Sequence, residues 1–380
     1  MKSSDVDSLK SKRGRKTLSI DLRWIDSSGV GMYIQGIIPG LVERLQDISI
    51  VGIGDRSRLE AFSWADADNV HLVDCRAGRY SLNEQLQLLL AIPRHTDLFF
   101  SPYYTIPLLY RGRFAVTVHD MSHRIVPEII GNVKKRLYAQ LMYREIRRRA
   151  AAIFTVSEFS KKELLRLTEG SLESNIYPTP LGISPDWYSA SELPLVRTGQ
   201  YFVCVGNVKP YKNLSRLVDA FLCVKNRVPH DLVIIGQSKG LITGESPEFF
   251  KKIEENKGRI HLTGYVSQHE LLSLVGHASA LIMPSLYEGF GLPPLEAMAA
   301  GTPVAVSKAA SLPEVCGDAA LYFDPLDGQD IAEKLVLIAS DSAFTNRLRE
   351  EGRRHSRGFT WDSCAELTAA RIRECLKGNF

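Results

Sequence analysis

Pro284-Ser285-Leu286-Tyr287-Glu288-Gly289-Phe290-Gly291-Leu292-Pro293-Pro294-Leu295-Glu296-Ala297-Met298-Ala299-Ala300-Gly301-Thr302-Pro303-Val304 follows a short apolar run, Ala280 to Met283. That run reads as a buried strand. Gly289 and Gly291 then flank Phe290 in a loop. Pro293 and Pro294 suit the first turn of a helix, where a missing N–H costs little. Leu295 to Ala300 are strong helix formers, and Gly301 fits the position just past a helix end. Thr302 to Ser307 reads as the next strand. The unit is therefore strand, glycine loop, short helix, strand.

Two carboxylates bracket this unit: Glu288 at the strand mouth and Glu296 in the helix. Glycines let backbone N–H groups approach a ligand closely, and a helix N-terminus favours an anion. Carboxylates accept hydrogen bonds from neighbouring hydroxyls. The segment is thus suited to a ligand both anionic and rich in hydroxyls, such as a nucleotide sugar.

The same residues resemble the signature of the retaining GT-B glycosyltransferases, the glycogen-synthase and mannosyltransferase-like family often called family 4. That signature is a glutamate, seven residues and a second glutamate, within a Glu-Gly-Phe-Gly-Leu-Pro core, as at Glu288 to Glu296 here. The likeness continues through Ser311-Leu312-Pro313-Glu314-Val315 and Gly317-Asp318-Ala319-Ala320. A plain strand–loop–helix crossover is the alternative, but two acids and two glycines at a strand's C-terminal end are poor choices for packing alone. The resemblance implies an α/β GT-B fold: two facing Rossmann-like domains with an inter-domain cleft. It also implies transfer of a hexose from a nucleotide sugar with retention of configuration; no metal or cofactor is expected, since no Asp-x-Asp pair is placed on a glycine-flanked loop.

The 380 residues suit two domains. With 44% hydrophobic and 24% charged residues the chain has the make-up of a globular protein that buries sizeable cores. A net charge of +4 does not suggest nucleic acid. No apolar run approaches the roughly 20 residues that span a bilayer. The first 16 residues are polar and basic, read as a disordered arm and not a secretory signal. The cysteines 75, 204, 223, 316, 364 and 375 are dispersed, without a Cys-x-x-Cys pair, and read as reduced packing residues in a cytoplasmic protein.

Along the chain, Thr17 to Asp21 is a strand, followed by a glycine turn at Gly29 and Gly31 and a helical pattern from Met32 to Leu45. That turn lacks the third glycine of Gly-x-Gly-x-x-Gly, and Pro39 predicts a kink or early stop. The resemblance makes Gly29 and Gly31 the loop that closes over the donor phosphates. Strand-like runs at 48–53, 71–75, 97–101, 115–119 and 151–157 alternate with helical patterns, as in a parallel sheet. His119 ends one of these strands, where the family carries a histidine that contacts the donor sugar; Asp120 turns the backbone. Residues 132–150 form a basic amphipathic helix, with Val133, Leu137, Leu141 and Ile146 as its apolar stripe. Such a helix is either a sheet-packing helix with a solvated face or a contact for an anionic membrane.

Residues 186–199 read as a linker between a first domain, 17–185, and a second, 200–358; residues 359–380 resemble the tail helix that returns to the first domain. After the strand Tyr201 to Gly206, the resemblance assigns Lys212 to the donor diphosphate. Where many members have arginine this chain has Asn207, with Lys209 as a substitute cation. Thr263-Gly264-Tyr265-Val266 resembles the base-binding turn, although Tyr265 serves packing equally well. Donor contacts are assigned to Gly289, Phe290, Gly291, Leu292 and Glu296, and chemistry to His119, Lys212 and Glu288. Asp66-Ala67-Asp68 lies in a polar stretch and reads as surface, not as a metal site.

The stretch Ile20 to Ile34 resembles bacterial mannosyltransferases of surface-polysaccharide assembly, which favours GDP-mannose over a UDP- or dTDP-sugar. The acceptor is expected to be a glycan or lipid-linked saccharide, at the inner face of a membrane. An epimerase or silent nucleotide-sugar-binding protein would share the architecture without needing the two-glutamate signature. A nicotinamide dehydrogenase would need a complete glycine fingerprint, which neither loop has.

Overall fold

The computed structural model describes residues 14–77, 82–122, 133–167, 175–236 and 246–378, with the backbone alone at 28, 82–83, 133–136 and 167. The expected arm therefore lies outside the described residues as far as residue 13, as does Asn132. The chain divides into two compact units. One runs to Gly182 and includes the closing segment from Trp361; the other is Ile183–Thr360.

The first unit is built on seven parallel strands: β1 (Thr17–Asp21), β2 (Ser49–Gly54), β3 (Val70–Asp74), β4 (Leu98–Ser101), β5 (Phe114–Val118), β6 (Ala150–Thr155) and β7 (Ile176–Pro178). Their order is β3-β2-β1-β4-β5-β6-β7. The strands β1, β2, β4 and β5 are buried along their whole length, which requires helices on both faces. The order reverses between β1 and β4, so the loops leaving these two strands diverge and open a crevice at their C-terminal ends.

Helix Ser28–Arg44 follows β1 and runs through Pro39 without stopping. Pro39 is exposed, and the helix continues past it, so of the expected kink or early stop the stop does not occur. Packing against the closing helix, Trp361–Lys377, explains this continuity. Gly36 and Gly40 form a small-residue ridge: a Cβ at Gly36 would stand 2.2 Å from the Trp361 ring, and one at Gly40 2.7 Å from Ala365 Cβ. Gly29 and Gly31 also lie inside this helix, not in a turn before it. The turn is Leu22 to Ser27, and Gly31 lets the helix press on it, since a Cβ there would meet the Ile25 carbonyl oxygen at 2.5 Å.

The basic helix, Val133–Arg149, also differs from its sequence pattern. Ala139, Met142, Tyr143 and Ile146 are buried against the sheet, whereas Leu137 and Leu141 are exposed. Only Ile146 of the expected stripe faces the core; the side chain of Val133 lies outside the described residues.

The second unit has six parallel strands: β8 (Tyr201–Val205), β9 (Asp231–Ile235), β10 (Ile260–Gly264), β11 (Ala280–Met283), β12 (Val304–Ser307) and β13 (Leu321–Phe323). They run in the order β10-β9-β8-β11-β12-β13, with the reversal between β8 and β11. The segment expected as a linker is part of this unit. Pro185–Glu192 forms a 3-10 helix with Trp187 and Ala190 buried. Beyond it, the carbonyl oxygens of Leu193 and Pro194 accept from His277 Nε2 at 2.7 Å and Ser273 Oγ at 2.8 Å.

Alanine normally improves on glycine in a helix by about 1 kcal/mol. At Gly36 the sign should reverse: Gly36→Ala should lower stability by about 1–3 kcal/mol through overpacking. Trp361→Leu should recover part of that loss. A double-mutant cycle by denaturant unfolding should give a coupling of at least about 0.5 kcal/mol, and additive effects would count against this contact.

Candidate active site

The reversal point of the second sheet brings together the loops that follow β8 and β11. The β8 loop leaves through Gly206 and reaches a 3-10 turn, Pro210–Lys212. Asn213 follows in a left-handed conformation, φ 58°. Its side-chain amide donates to the carbonyl oxygens of Pro284, at 3.0 Å, and Pro325, at 2.7 Å. Leu286 N donates to Tyr211 O at 2.8 Å. These bonds tie the β8 loop to the β11 loop.

The outcome is an ion pair. Lys212 Nζ lies 2.6 Å from Glu288 Oε1, with both side chains largely buried. Burial works against the Lys212 ammonium, but the Glu288 carboxylate overcomes it and holds the lysine above its ordinary value. The Tyr211 ring lies under two ammonium groups: Lys209 Nζ at 5.7 Å and Lys212 Nζ at 5.6 Å from its centroid. Beneath the pair, burial pushes the Cys204 thiol up to about 12, so it stays protonated.

The β11 loop is held from below as well. Ser311 Oγ reaches both Glu288 O at 2.9 Å and Phe290 O at 2.7 Å. Gly291 has φ 108° and begins helix Leu292–Ala300, with the two prolines in its first turn and Gly301 closing it at φ 79°. A Cβ at Gly291 would come within 2.7 Å of Leu312. Phe290 is buried and packs on Phe359, so its ring belongs to the core; its backbone remains in the loop beside Gly289.

Glu296 is buried on the same helix. Burial pushes its carboxyl up to about 7, an effect partly opposed by the Trp187 indole. Trp187 Nε1 lies outside hydrogen-bonding geometry here, so this neighbour only weakly favours the charged form. Tyr265 follows β10 and is 81% exposed, which removes the packing alternative; Gly264 before it has φ 74°.

In the first unit His119 follows β5. Its Nε2 donates to the Pro102 carbonyl at 2.9 Å, which leaves Nδ1 as the acceptor nitrogen. Burial lowers the His119 pKa, so the ring is neutral. Tyr33 meets it edge-on at 4.8 Å. Asp120 turns the chain as expected, accepting from Ser122 N at 2.8 Å.

Lys212, Glu288 and the Gly289–Leu292 loop thus assemble at one point of the second unit, with Glu296 on the adjoining helix. His119, Gly29 and Gly31 belong to the first unit. Asn207 lies in the same β8 loop as Lys209. Asn213 and Trp187 were not singled out from sequence, and Ser311 stood there only as the start of the Ser311–Val315 likeness, without a role. Asn213 had a detectable signal, since asparagine is among the few residues that enter the left-handed region readily. Trp187 had none, because its partner is 109 positions away in the chain.

Residues 189–355 match the family described as Glycosyl transferases group 1. The chain is 32% identical over 268 residues to the O-antigen chain mannosyltransferase B of Escherichia coli, covering 67% of this chain and 69% of that one. The chain belongs to the group 1 glycosyltransferases. It is a nucleotide-sugar-dependent hexosyltransferase with a GT-B fold. It is also 27% identical over 232 residues to the serotype-specific mannosyltransferase WbdA of Escherichia coli, a match spanning 58% of this chain but only 28% of that protein. Among solved structures, sucrose-phosphate synthase from Thermosynechococcus elongatus superposes with a TM-score of 0.72 at 17% identity, covering 96% of this chain and 100% of that one.

The raised Glu296 carboxyl has a consequence for stability. The folded group keeps its proton up to about pH 7, against 4.5 ordinarily, so the folded state binds more protons than the unfolded chain between these values. Stability from this site is complete below pH 4.5 and falls as pH rises through 7. Glu296→Gln should therefore stabilise the protein at pH 8, by on the order of 3 kcal/mol, and change little at pH 4.5. Thermal unfolding at the two pH values measures the difference; an equal effect at both would contradict the assigned burial cost.

Proposed function

We propose that this glycosyltransferase moves mannose from GDP-mannose to a hydroxyl of a glycan or lipid-linked saccharide during polysaccharide synthesis, with retention of anomeric configuration. The Lys212–Glu288 pair carries this reading. It sets a cation for a diphosphate beside a carboxylate for a sugar, at the point of an α/β sheet where ligands bind. The mannosyl assignment is supported by relatives that bear the mannosyltransferase name.

In this reading the donor exchanges partners with the pair. Lys212, with Lys209 also at the Tyr211 ring and Asn207 in the same loop, takes the diphosphate. Backbone N–H groups from Gly289 to Leu292 add further donors. Glu288 orients the sugar hydroxyls and offsets positive charge at the anomeric carbon. His119 presents its acceptor nitrogen to a sugar hydroxyl. Glu296 accepts the ribose hydroxyls, and the turn at Tyr265 meets the base.

The acceptor oxygen bonds to the anomeric carbon on the face the nucleotide leaves. The bond from that carbon to the donor phosphate oxygen breaks, with its electron pair passing to the phosphate. The acceptor proton goes to a donor phosphate oxygen. Charge building on the leaving group is met by lysine and backbone donors, so the reaction is proposed to run without metal or cofactor. The free thiols among the described residues suit a cytoplasmic setting. The acceptor side is placed at the inner face of the membrane.

Nucleotide release from GDP-mannose, UDP-glucose, UDP-N-acetylglucosamine and dTDP-rhamnose, with a glycan acceptor and with chelator present, tests the donor. GDP-mannose should be turned over best, unaffected by chelator, and NMR should show a retained anomer. Lys212→Ala should lower turnover by roughly 10²–10³. Glu288→Gln should lower turnover comparably while GDP affinity holds or improves, because Lys212 loses its internal competitor. Parallel loss of turnover and GDP affinity in Glu288→Gln would remove the carboxylate from the sugar site.

A further inference from the structure

Five of the twelve large hydrophobic side chains that stand exposed among the described residues gather in one region of the first unit. Leu86 and Leu90, 54% and 66% exposed, lie one turn apart on helix Leu82–Ala91. Leu137 and Leu141, 59% and 40% exposed, lie one turn apart on helix Val133–Arg149. Leu109, 68% exposed, tops the loop between β4 and β5. Hydrogen bonds join these three segments. Gln85 Nε2 donates to Tyr138 Oη at 3.1 Å, and Leu108 N donates to Gln85 Oε1 at 2.9 Å. Arg149 Nη2 donates to the Tyr110 carbonyl.

We propose that these two helices and the Leu109 loop form a docking surface for an anionic lipid bilayer. Charge decides the partner. Leu137, Leu141, Arg144 and Arg148 fall at helical spacing on one face, and all four are exposed. Arg147 beside them and Arg111 in the loop after Leu109 are exposed as well. Glu145, the acid among residues 137–149, is occupied by Arg148 at 3.8 Å and Arg149 at 3.5 Å. Leucines flanked by exposed arginines, of which Arg111, Arg144 and Arg147 have no acid partner among the described residues, match a surface whose interior is apolar and whose headgroups are negative. A protein partner's face would need its own acids placed against each arginine; a bilayer supplies negative charge in any register.

The surface also explains an oddity of local structure. A helix that needed only to cover the sheet would turn Leu137 and Leu141 inward. Here Ala139, Met142, Tyr143 and Ile146 fill the core, and the two leucines remain outside. Exposing them costs hydrophobic stabilisation that burial in the interfacial layer returns. The proposal extends the membrane-face placement made above, and turnover on a soluble acceptor reads the enzyme function separately.

Flotation with phosphatidylcholine vesicles, with and without phosphatidylglycerol, tests it on the full chain. The parent should bind only the anionic vesicles, and more weakly as salt increases. Arg144→Gln, Arg147→Gln and Arg148→Gln together should weaken binding roughly a hundredfold at about 0.1 M salt and flatten the salt dependence. Leu137→Gln with Leu141→Gln should weaken it roughly tenfold at every salt concentration. Leu86→Gln with Leu90→Gln should act in the same direction. All three sets should leave turnover on a soluble acceptor and thermal unfolding unchanged, since the replaced side chains are exposed. Leucine variants that float as well as the parent would overturn the proposal, reducing the contact to loose charge attraction. So would a parent that ignores anionic vesicles, or one that sediments as a dimer broken by the leucine changes, which would give the face to a second copy.

Discussion

A lysine and a glutamate 76 positions apart in the chain meet at 2.6 Å, and much of the second unit serves to make them meet. Two charges this close and this little exposed lose most of their hydration. Removing one partner from a buried pair typically costs about 3–5 kcal/mol, because the other is left uncompensated. The pair is therefore stable while the site is empty, yet each member has a chemically better partner in a nucleotide sugar. A diphosphate offers Lys212 more than one negative charge, and a sugar offers Glu288 paired hydroxyls. Binding in this account is an exchange of partners, and neither charge is left bare at any stage.

Such an exchange requires that the loops stay in place while the side chains change hands. Asn213 anchors the β8 loop to two carbonyls across the reversal point, and Ser311 grips the backbone on both sides of Gly289. These anchors are buried and neutral, so ligand charge does not compete with them. Glu296 is a different kind of feature. Its carboxyl is kept in a site that disfavours its charge, which lowers stability at neutral pH. A group that costs stability where the protein works is characteristic of a binding residue, since packing alone would have been better served by an apolar side chain.

The fold was legible because a parallel sheet buried on both faces leaves continuous apolar runs, such as Ala280–Met283 and Tyr201–Val205. The glutamates were legible because acids and glycines at a strand mouth break that pattern. Long-range packing was not legible. Pro39 reads as a helix stop until the Gly36–Gly40 ridge against Trp361 is known to hold the helix through it. Leu137 and Leu141 read as core on periodicity alone, since Ala139, Met142, Tyr143 and Ile146 give an equally good stripe rotated around the helix. Residues 186–199 read as a tether because their contacts, to His277 and Ser273, are made with side chains some 80 positions away. In each case the deciding term was a tertiary contact that local sequence does not encode.

The partner exchange at Lys212 and Glu288 is open to direct observation. A crystal structure of the protein with an intact, non-reacting analogue of GDP-mannose should show the Nζ–Oε1 contact, 2.6 Å in the free protein, broken. Lys212 Nζ should then lie within hydrogen-bond distance of a donor phosphate oxygen, and a Glu288 carboxylate oxygen within hydrogen-bond distance of a sugar hydroxyl. A complex in which the ion pair persists, with the diphosphate held elsewhere, would contradict the account at its centre.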